Sequence, residues 1–250
     1  MIIHRLIARH LKHRDDGEFY QMQAQDAVAW LEKHGVRWVP TTRVLDLGCG
    51  LGVFGHEAAR RGCEVVFADE HEVTPPGIPD SQWRRFSIGR EALESLGQFD
   101  VVLFSNVLEH LPRPNEFLSG IHSLLRERGF FYLSWTNWLS PWGGHEFSPF
   151  HYLGARRGHL LFDRIAKRKR LHTPFVNLFP TYVGEVLRYL RSLPQVEVVA
   201  VAPRYYSEFT WITRVPLMRE FLTWNCGVLL QRKARPGAAV NRERQAGNSA

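Results

Sequence analysis

Cysteine is scarce. Cys49, Cys63 and Cys226 are odd in number and widely spaced, so they give neither a metal-ligand pair nor a disulfide framework. Such usage suits a reducing, cytoplasmic setting. Long apolar runs are missing too, and no stretch reaches the length of a membrane span. The apolar residues of the N-terminus are interrupted too often for a signal peptide, and none is expected. A zinc-protease helix is excluded as well. His145-Glu146 is followed by His151, six residues after the first histidine rather than four. With no cysteine cluster to help, no metal is expected. Neither an Asn-Pro-Pro-Tyr-type base-flipping motif nor an RNA-binding appendix is present.

What the chain does have is size, apolar content and an uneven charge. Its 250 residues, 44% hydrophobic, are enough for one well-packed α/β domain with insertions. The formal charge is +7, and its cations gather at the periphery. One group is Arg5, Arg9, Lys12 and Arg14, and another lies in the tail from Arg232 to Arg244. The densest is Arg156, Arg157, Arg164, Lys167, Arg168, Lys169 and Arg170 against the single Asp163. A solvated face is the plain reading of such a run; an anionic partner (lipid headgroup, substrate phosphate or nucleic acid) is the sharper one.

The organising stretch is Val44-Leu45-Asp46-Leu47-Gly48-Cys49-Gly50-Leu51-Gly52-Val53-Phe54-Gly55. An apolar run meets alternating glycines, and a helical pattern follows to Arg61: strand, tight turn, helix, the first βα unit of a doubly wound sheet. Glycines admit positive φ and let a ligand approach the main chain, so a small nucleoside-bearing ligand is the expected occupant. Gly50-Leu51-Gly52-Val53-Phe54-Gly55 also fits G-x-G-x-x-G, a weak signal alone. Asp46 changes the balance, because a pyrophosphate turn has no use for a carboxylate there.

With Asp46 leading Asp-x-Gly-x-Gly-x-Gly, the chain resembles the class I S-adenosylmethionine (SAM)-dependent methyltransferases, type-11-like. The resemblance implies an α/β fold: a doubly wound, mostly parallel seven-stranded Rossmann-like sheet with lid insertions. In that family the acidic residue and the glycine turn hold the amino-acid part of SAM. This puts Asp46, Gly48, Cys49, Gly50, Leu51 and Gly52 at the cofactor. Cys63 to Asp69 reads as the second strand, and Asp69 lies 17 residues past Gly52, near the spacing of a ribose-binding carboxylate. Glu70 takes its place if the strand ends one residue later. Gly89, Arg90 and Glu91 occupy the region that usually contacts adenine, so that contact is left unassigned.

Phe99 to Asn106 is a buried strand, followed by Val107-Leu108-Glu109-His110, which resembles the family's fourth motif. Asn106, Val107 and His110 thereby border the cofactor, and His110 either takes part in chemistry, orients the loop or stacks near the adenosine. A helix is expected over Pro114–Arg126, a fifth strand over Phe130–Trp135, a sixth over Val196–Ala202 and a last over Thr223–Gln231. Before the first strand, residues 2–13 form either a basic amphipathic helix on lipid or a cap on the domain. Glu18–His34 forms a helix with Phe19, Met22, Asp26, Ala27, Trp30 and Leu31 on one face, and with Tyr20 and Gln23 as lid contacts.

Residues 136–180 are dense in aromatics, histidines, glycines and prolines, which suits a shaped lid after the fifth strand. Trp142, Glu146 and Tyr152 are candidate substrate contacts. His145 and His151 are the first candidates for a general base and His110 the third, with structural roles as the alternative. Domain organisation is expected as one SAM-binding domain over 1–234: a helical cap 1–42, a SAM-binding half 43–135, the lid 136–180, a second insertion 203–222, and a disordered tail 235–250. The expected activity is methyl transfer from SAM to an oxygen of a bulky small molecule such as a lipid-linked sugar or an isoprenoid. Location is expected to be cytoplasmic, with peripheral contact to an anionic membrane surface. An RNA methyltransferase is the runner-up, ahead of an NAD-dependent oxidoreductase and a non-catalytic scaffold.

Overall fold

A computed structural model describes residues 2–13, 17–72, 74–166 and 170–234. The Lys167-Arg168-Lys169 run and the tail 235–250 lie outside the described residues. Seven strands form one sheet: β1 (Arg43–Leu47), β2 (Glu64–Asp69), β3 (Trp83–Arg85), β4 (Phe99–Ser105), β5 (Leu125–Thr136), β6 (Val196–Pro203) and β7 (Asn225–Arg232). Their order is β3-β2-β1-β4-β5-β7-β6. The first five pair in parallel, and β7 runs antiparallel to both its neighbours.

The apolar runs of β1 and β4 follow from covering both faces, as parallel sheets require. Leu45, Leu47, Val102, Phe104, Phe131 and Leu133 pack on one side against α4 (Pro114–Gly120) and α6 (Val183–Ser192). Val44, Val65, Phe67, Val101 and Leu103 pack on the other, against α2 (Gly17–Lys33) and α3 (Val53–Ala59). Between β1 and β4 the chain order reverses, so a crevice opens at their carboxyl ends. The expected strand–turn–helix unit therefore sits at the centre of the molecule.

Three expectations need correction. The buried face of α2 is Gln23, Ala24, Ala27, Val28 and Leu31, one residue round from the predicted stripe. Small alanines let the helix approach the sheet, while bulky Phe19, Met22 and Trp30 sit at its border. Helix α4 ends at Gly120, a poor helix former, and a single 3-10 turn, Ile121–Leu124, leads into β5. Strand β5 thus begins five residues earlier than Phe130, and a register shift between Phe99 and Val101 absorbs the irregular turn around Arg128. The basic stretch Phe162–Arg170, which could be read as a helix of its own, falls instead at the end of a longer helix, α5 (Ala155–Ala166).

The N-terminal helix α1 (Ile3–His13) buries Leu6, and the Ile2 N–H donates to the Tyr205 carbonyl at 3.1 Å. Segment 136–180 has a small core of its own, Trp138, Phe147, Phe162 and Leu178. The 203–222 insertion ends in α7 (Pro216–Leu222). Its Glu220 accepts hydrogen bonds from the Val183 and Gly184 N–H groups at 3.0 and 2.7 Å. The Glu220 carbonyl takes a further hydrogen bond from Asn137 Nδ2 at 2.5 Å, so the two insertions are tied together.

Candidate functional site

The glycine loop is shaped by two carboxylates. Asp46 Oδ2 accepts the Gly55 N–H at 2.7 Å, fastening the start of α3 to β1. Asp69 Oδ2 accepts the Gly50 N–H at 2.8 Å, fastening the turn to the end of β2. Burial raises the Asp46 carboxyl to about 7; the Gly55 hydrogen bond opposes this, and nearby Asp69 adds to it. Burial also pushes the Cys49 thiol up, with Asp46 and Asp69 adding to the effect. Gly48 has φ 66°, and a Cβ there would stand 2.5 Å from Val107 Cγ2, so the turn can close on the β4 loop only without a side chain. Beside Gly50 there is open space, with no atom within 4 Å of where a Cβ would stand. Glu70 is exposed beyond the strand end.

The opposite wall is the carboxyl end of β4. Asn106 adopts φ 57°, with its N–H on the Ser134 carbonyl at 2.8 Å and its Oδ1 accepting from Asn225 Nδ2 at 2.8 Å. Glu109 is buried: Oε1 accepts the Thr136 N–H at 2.9 Å, and Oε2 has no partner. Between the walls lies Arg204, a residue that sequence reading missed. It is only 4% exposed, and its Nη1 donates to Ser105 Oγ and Ser134 Oγ, both at 3.2 Å. Nη2 donates to the Gln23 carbonyl at 3.3 Å, the guanidinium lies 5.0 Å over the Phe54 ring, and buried Nε has no partner. A cavity beside it is lined by Asp26, Trp30, Tyr132 and Ser207. Burial raises the Asp26 carboxyl, and Arg204 offsets part of that. Gln23, expected at the lid, is buried with its Nε2 on the Tyr205 hydroxyl at 3.2 Å.

These features fit SAM. Open space beside Gly50 and a carboxylate at the end of β2 suit a ligand carrying ribose hydroxyls, and a buried guanidinium with an unpartnered Nε supplies positive charge nearby.

Segment 136–180 separates the candidate histidines. His151 is 1% exposed, its Nε2 on the Ser140 carbonyl at 3.0 Å and its ring against Trp138, Phe147 and Tyr152. It belongs to the core of the segment, where no acceptor proton can reach it, and burial lowers its basicity. Tyr152 is exposed, and its hydroxyl donates to the Leu139 carbonyl at 3.2 Å. Trp142 meets Trp224 edge-on at 4.8 Å.

His110 and His145 do come together, joined by His172, which sequence reading also missed. Their ring centroids are 5.3 Å apart for His110 and His145, 5.0 Å for His110 and His172, and 4.6 Å for His145 and His172. Burial first, then the imidazoles of His172 and His110, lower His145 to about 3. The Glu146 carboxylate accepts from His172 Nδ1 at 2.9 Å.

Known proteins share this architecture. A family model described as a methyltransferase domain matches residues 3–172. An uncharacterized methyltransferase of Mycobacteroides abscessus is 33% identical over 231 residues, 85% of this chain and 86% of that protein. An S-adenosylmethionine-dependent methyltransferase from Mesorhizobium loti superposes with a TM-score of 0.53 at 21% identity, covering 83% of this chain and 98% of that one. The Burkholderia thailandensis 1,6-didemethyltoxoflavin-N1-methyltransferase, solved with that substrate and S-adenosylhomocysteine, superposes with a TM-score of 0.51 at 17% identity, over 92% and 87% of the chains.

Proposed function

We propose, from the premise that this chain belongs to the methyltransferase domain family, that it methylates an oxygen of a bulky small molecule with apolar and anionic parts, such as a lipid-linked sugar or an isoprenoid. SAM is the cofactor and supplies an electrophilic methyl group on a sulfonium. Asp69 would accept the ribose hydroxyls, the turn at Gly48–Gly52 would lie along the ligand, and Arg204 would meet its carboxylate. The toxoflavin-precursor enzyme, by its name, acts on a small molecule, which supports an acceptor of that size.

One observation carries the acceptor class. Among the described residues, all the exposed large hydrophobic side chains except Val39, Leu51 and Val199 lie in the two insertions. Leu160, Leu161 and Ile165 of α5 are open to solvent beside exposed Arg156, Arg157 and Arg164, and Leu171, Phe175 and Val176 follow. Apolar surface flanked by cations suits an acyl or prenyl chain with an anionic head, at a lid or on a membrane surface. No helix of the described residues is long and apolar enough to cross a membrane.

The chain's work is alignment of the acceptor oxygen and exclusion of water. The test is to incubate the protein with methyl-labelled SAM and either a membrane lipid extract or total RNA. Label should enter the organic phase only with protein and lipid. Label recovered in RNA, or only in water-soluble products, would overturn this acceptor class.

A further inference from the structure

We propose that His110, His145 and His172 form a binding site for a divalent transition-metal ion of the zinc class, with one coordination position left open to an oxygen ligand. The inference concerns the cluster itself and does not depend on which acceptor is methylated. One ring nitrogen from each histidine lies within 4.8 Å of the other two. Zinc–imidazole bonds of about 2.0–2.1 Å put tetrahedral nitrogens roughly 3.4 Å apart, so side-chain movements of about an ångström close the triangle.

Hydrogen bonding fixes which nitrogens are bare. His110 Nδ1 must donate to the Asn177 carbonyl at 2.7 Å, because a carbonyl can only accept. His172 Nδ1 likewise donates to the Glu146 carboxylate, at 2.9 and 3.0 Å to its two oxygens. Both Nε2 atoms therefore carry lone pairs. His145 Nδ1 is buried without any hydrogen-bond partner. A carbonyl and a carboxylate behind two converging imidazoles is the outer shell that orients metal-bound histidine.

The cluster is also held in place. Asn177 grips the chain on both sides of His172, accepting the Thr173 N–H at 2.7 Å and donating to the Leu171 carbonyl at 3.0 Å. Arg170, locked to Asp163 at 2.7 and 2.8 Å, donates to the His172 carbonyl at 2.5 Å. His145 is held at φ 50° after two glycines. A Cβ on Gly143 would stand 1.8 Å from the Trp138 carbonyl oxygen, and one on Gly144 2.7 Å from His151 Cβ. Simple ring packing calls for none of this bracing of bare nitrogens.

The donor set selects the ion. Three neutral imidazoles with no carboxylate among the ligands suit zinc, copper, nickel or iron and not magnesium or calcium. All three histidines are only partly buried as residues, which leaves His110 and His172 a side from which a fourth ligand can enter, the pattern of catalytic rather than structural zinc. The cluster also lies on the cofactor side of the molecule, since His110 follows Val107, whose side chain meets Gly48.

Untagged full-length protein, stripped with a chelator, provides the test by titration with Co²⁺ alone and then with Zn²⁺. The expected result is one Co²⁺ per chain with intense visible bands of a four-coordinate site, shifted by azide and erased by Zn²⁺. His145→Ala and His172→Ala should lose the bands, Glu146→Gln should weaken Co²⁺ by ~10–100-fold, and His122→Ala should change nothing. Melting curves identify folded variants; if the alanine variants do not fold, the wild-type spectrum and Glu146→Gln decide the matter. A wild-type protein without stoichiometric binding, bands indifferent to azide, or binding that survives in His172→Ala would overturn the proposal.

Discussion

Asp46 and Asp69 are both read from the sequence as cofactor contacts, one at the amino-acid part of SAM and one at the ribose, yet their environments give them different work. Asp69 ends β2 beside the loop, so Asp69→Ala should weaken SAM binding by about 1–3 kcal/mol, the scale of losing charge-assisted hydrogen bonds, and should also lower the melting temperature because the Gly50 N–H loses its acceptor. Asp46 is buried with the Gly55 N–H on one oxygen, and its carboxyl moves from 3.8 to about 7 on folding. A carboxyl raised on folding holds its proton in the native state while the unfolded chain has lost it. Stability therefore falls as pH rises from about 4 to about 7, by roughly 1.4 kcal/mol for each pH unit crossed, and is flat above. Asp46→Asn keeps the acceptor for Gly55 and removes this cost. Without cofactor, the variant should melt higher than wild type at pH 8 and equal to it near pH 4. A variant less stable at both pH values would contradict that assignment.

At the scale of elements, sequence and structure agree where the signal is local. The strand–turn–helix at 43–59 was legible because an apolar run, glycine spacing and a helical pattern sit side by side. The face of α2 was not, because hydrophobicity favours Trp30 and Met22 while packing favours the small Ala24 and Ala27. Arg204 and His172 were hidden by distance along the chain. Arg204 meets Asn106 across 98 residues, and His172 meets Glu146 across 26. Only the folded sheet brings an arginine after β6 next to the end of β4. In the basic segment, charge counting overstated the free cations, since Arg170 is spent on Asp163 and on the loop. The remaining exposed cations of α5 carry the prediction. Reversing Arg156, Arg157 and Arg164 to Glu should reduce binding to anionic vesicles, and wild-type binding should fall with salt. Melting temperature should hardly move, because these side chains are exposed. Equal binding of wild type to neutral and anionic vesicles would argue against the charge having this role.

At the scale of the molecule, the sheet supplies a crevice where strand order reverses, and most of the exposed large apolar side chains among the described residues belong to segments 136–180 and 203–222. The central claim is that the glycine turn, Asp69 and Arg204 together hold SAM. Calorimetry on the purified full chain tests it most directly, titrating SAM, S-adenosylhomocysteine and NAD in turn against wild type and Arg204→Met. Loss of the guanidinium removes the positive charge offered to the ligand's carboxylate and should cost SAM about tenfold or more in affinity. Wild type should bind SAM and S-adenosylhomocysteine at micromolar concentrations, show no heat with NAD, and bind SAM more weakly in the folded variant. Heat from NAD with none from SAM, or SAM binding unaltered by Arg204→Met, would contradict the account.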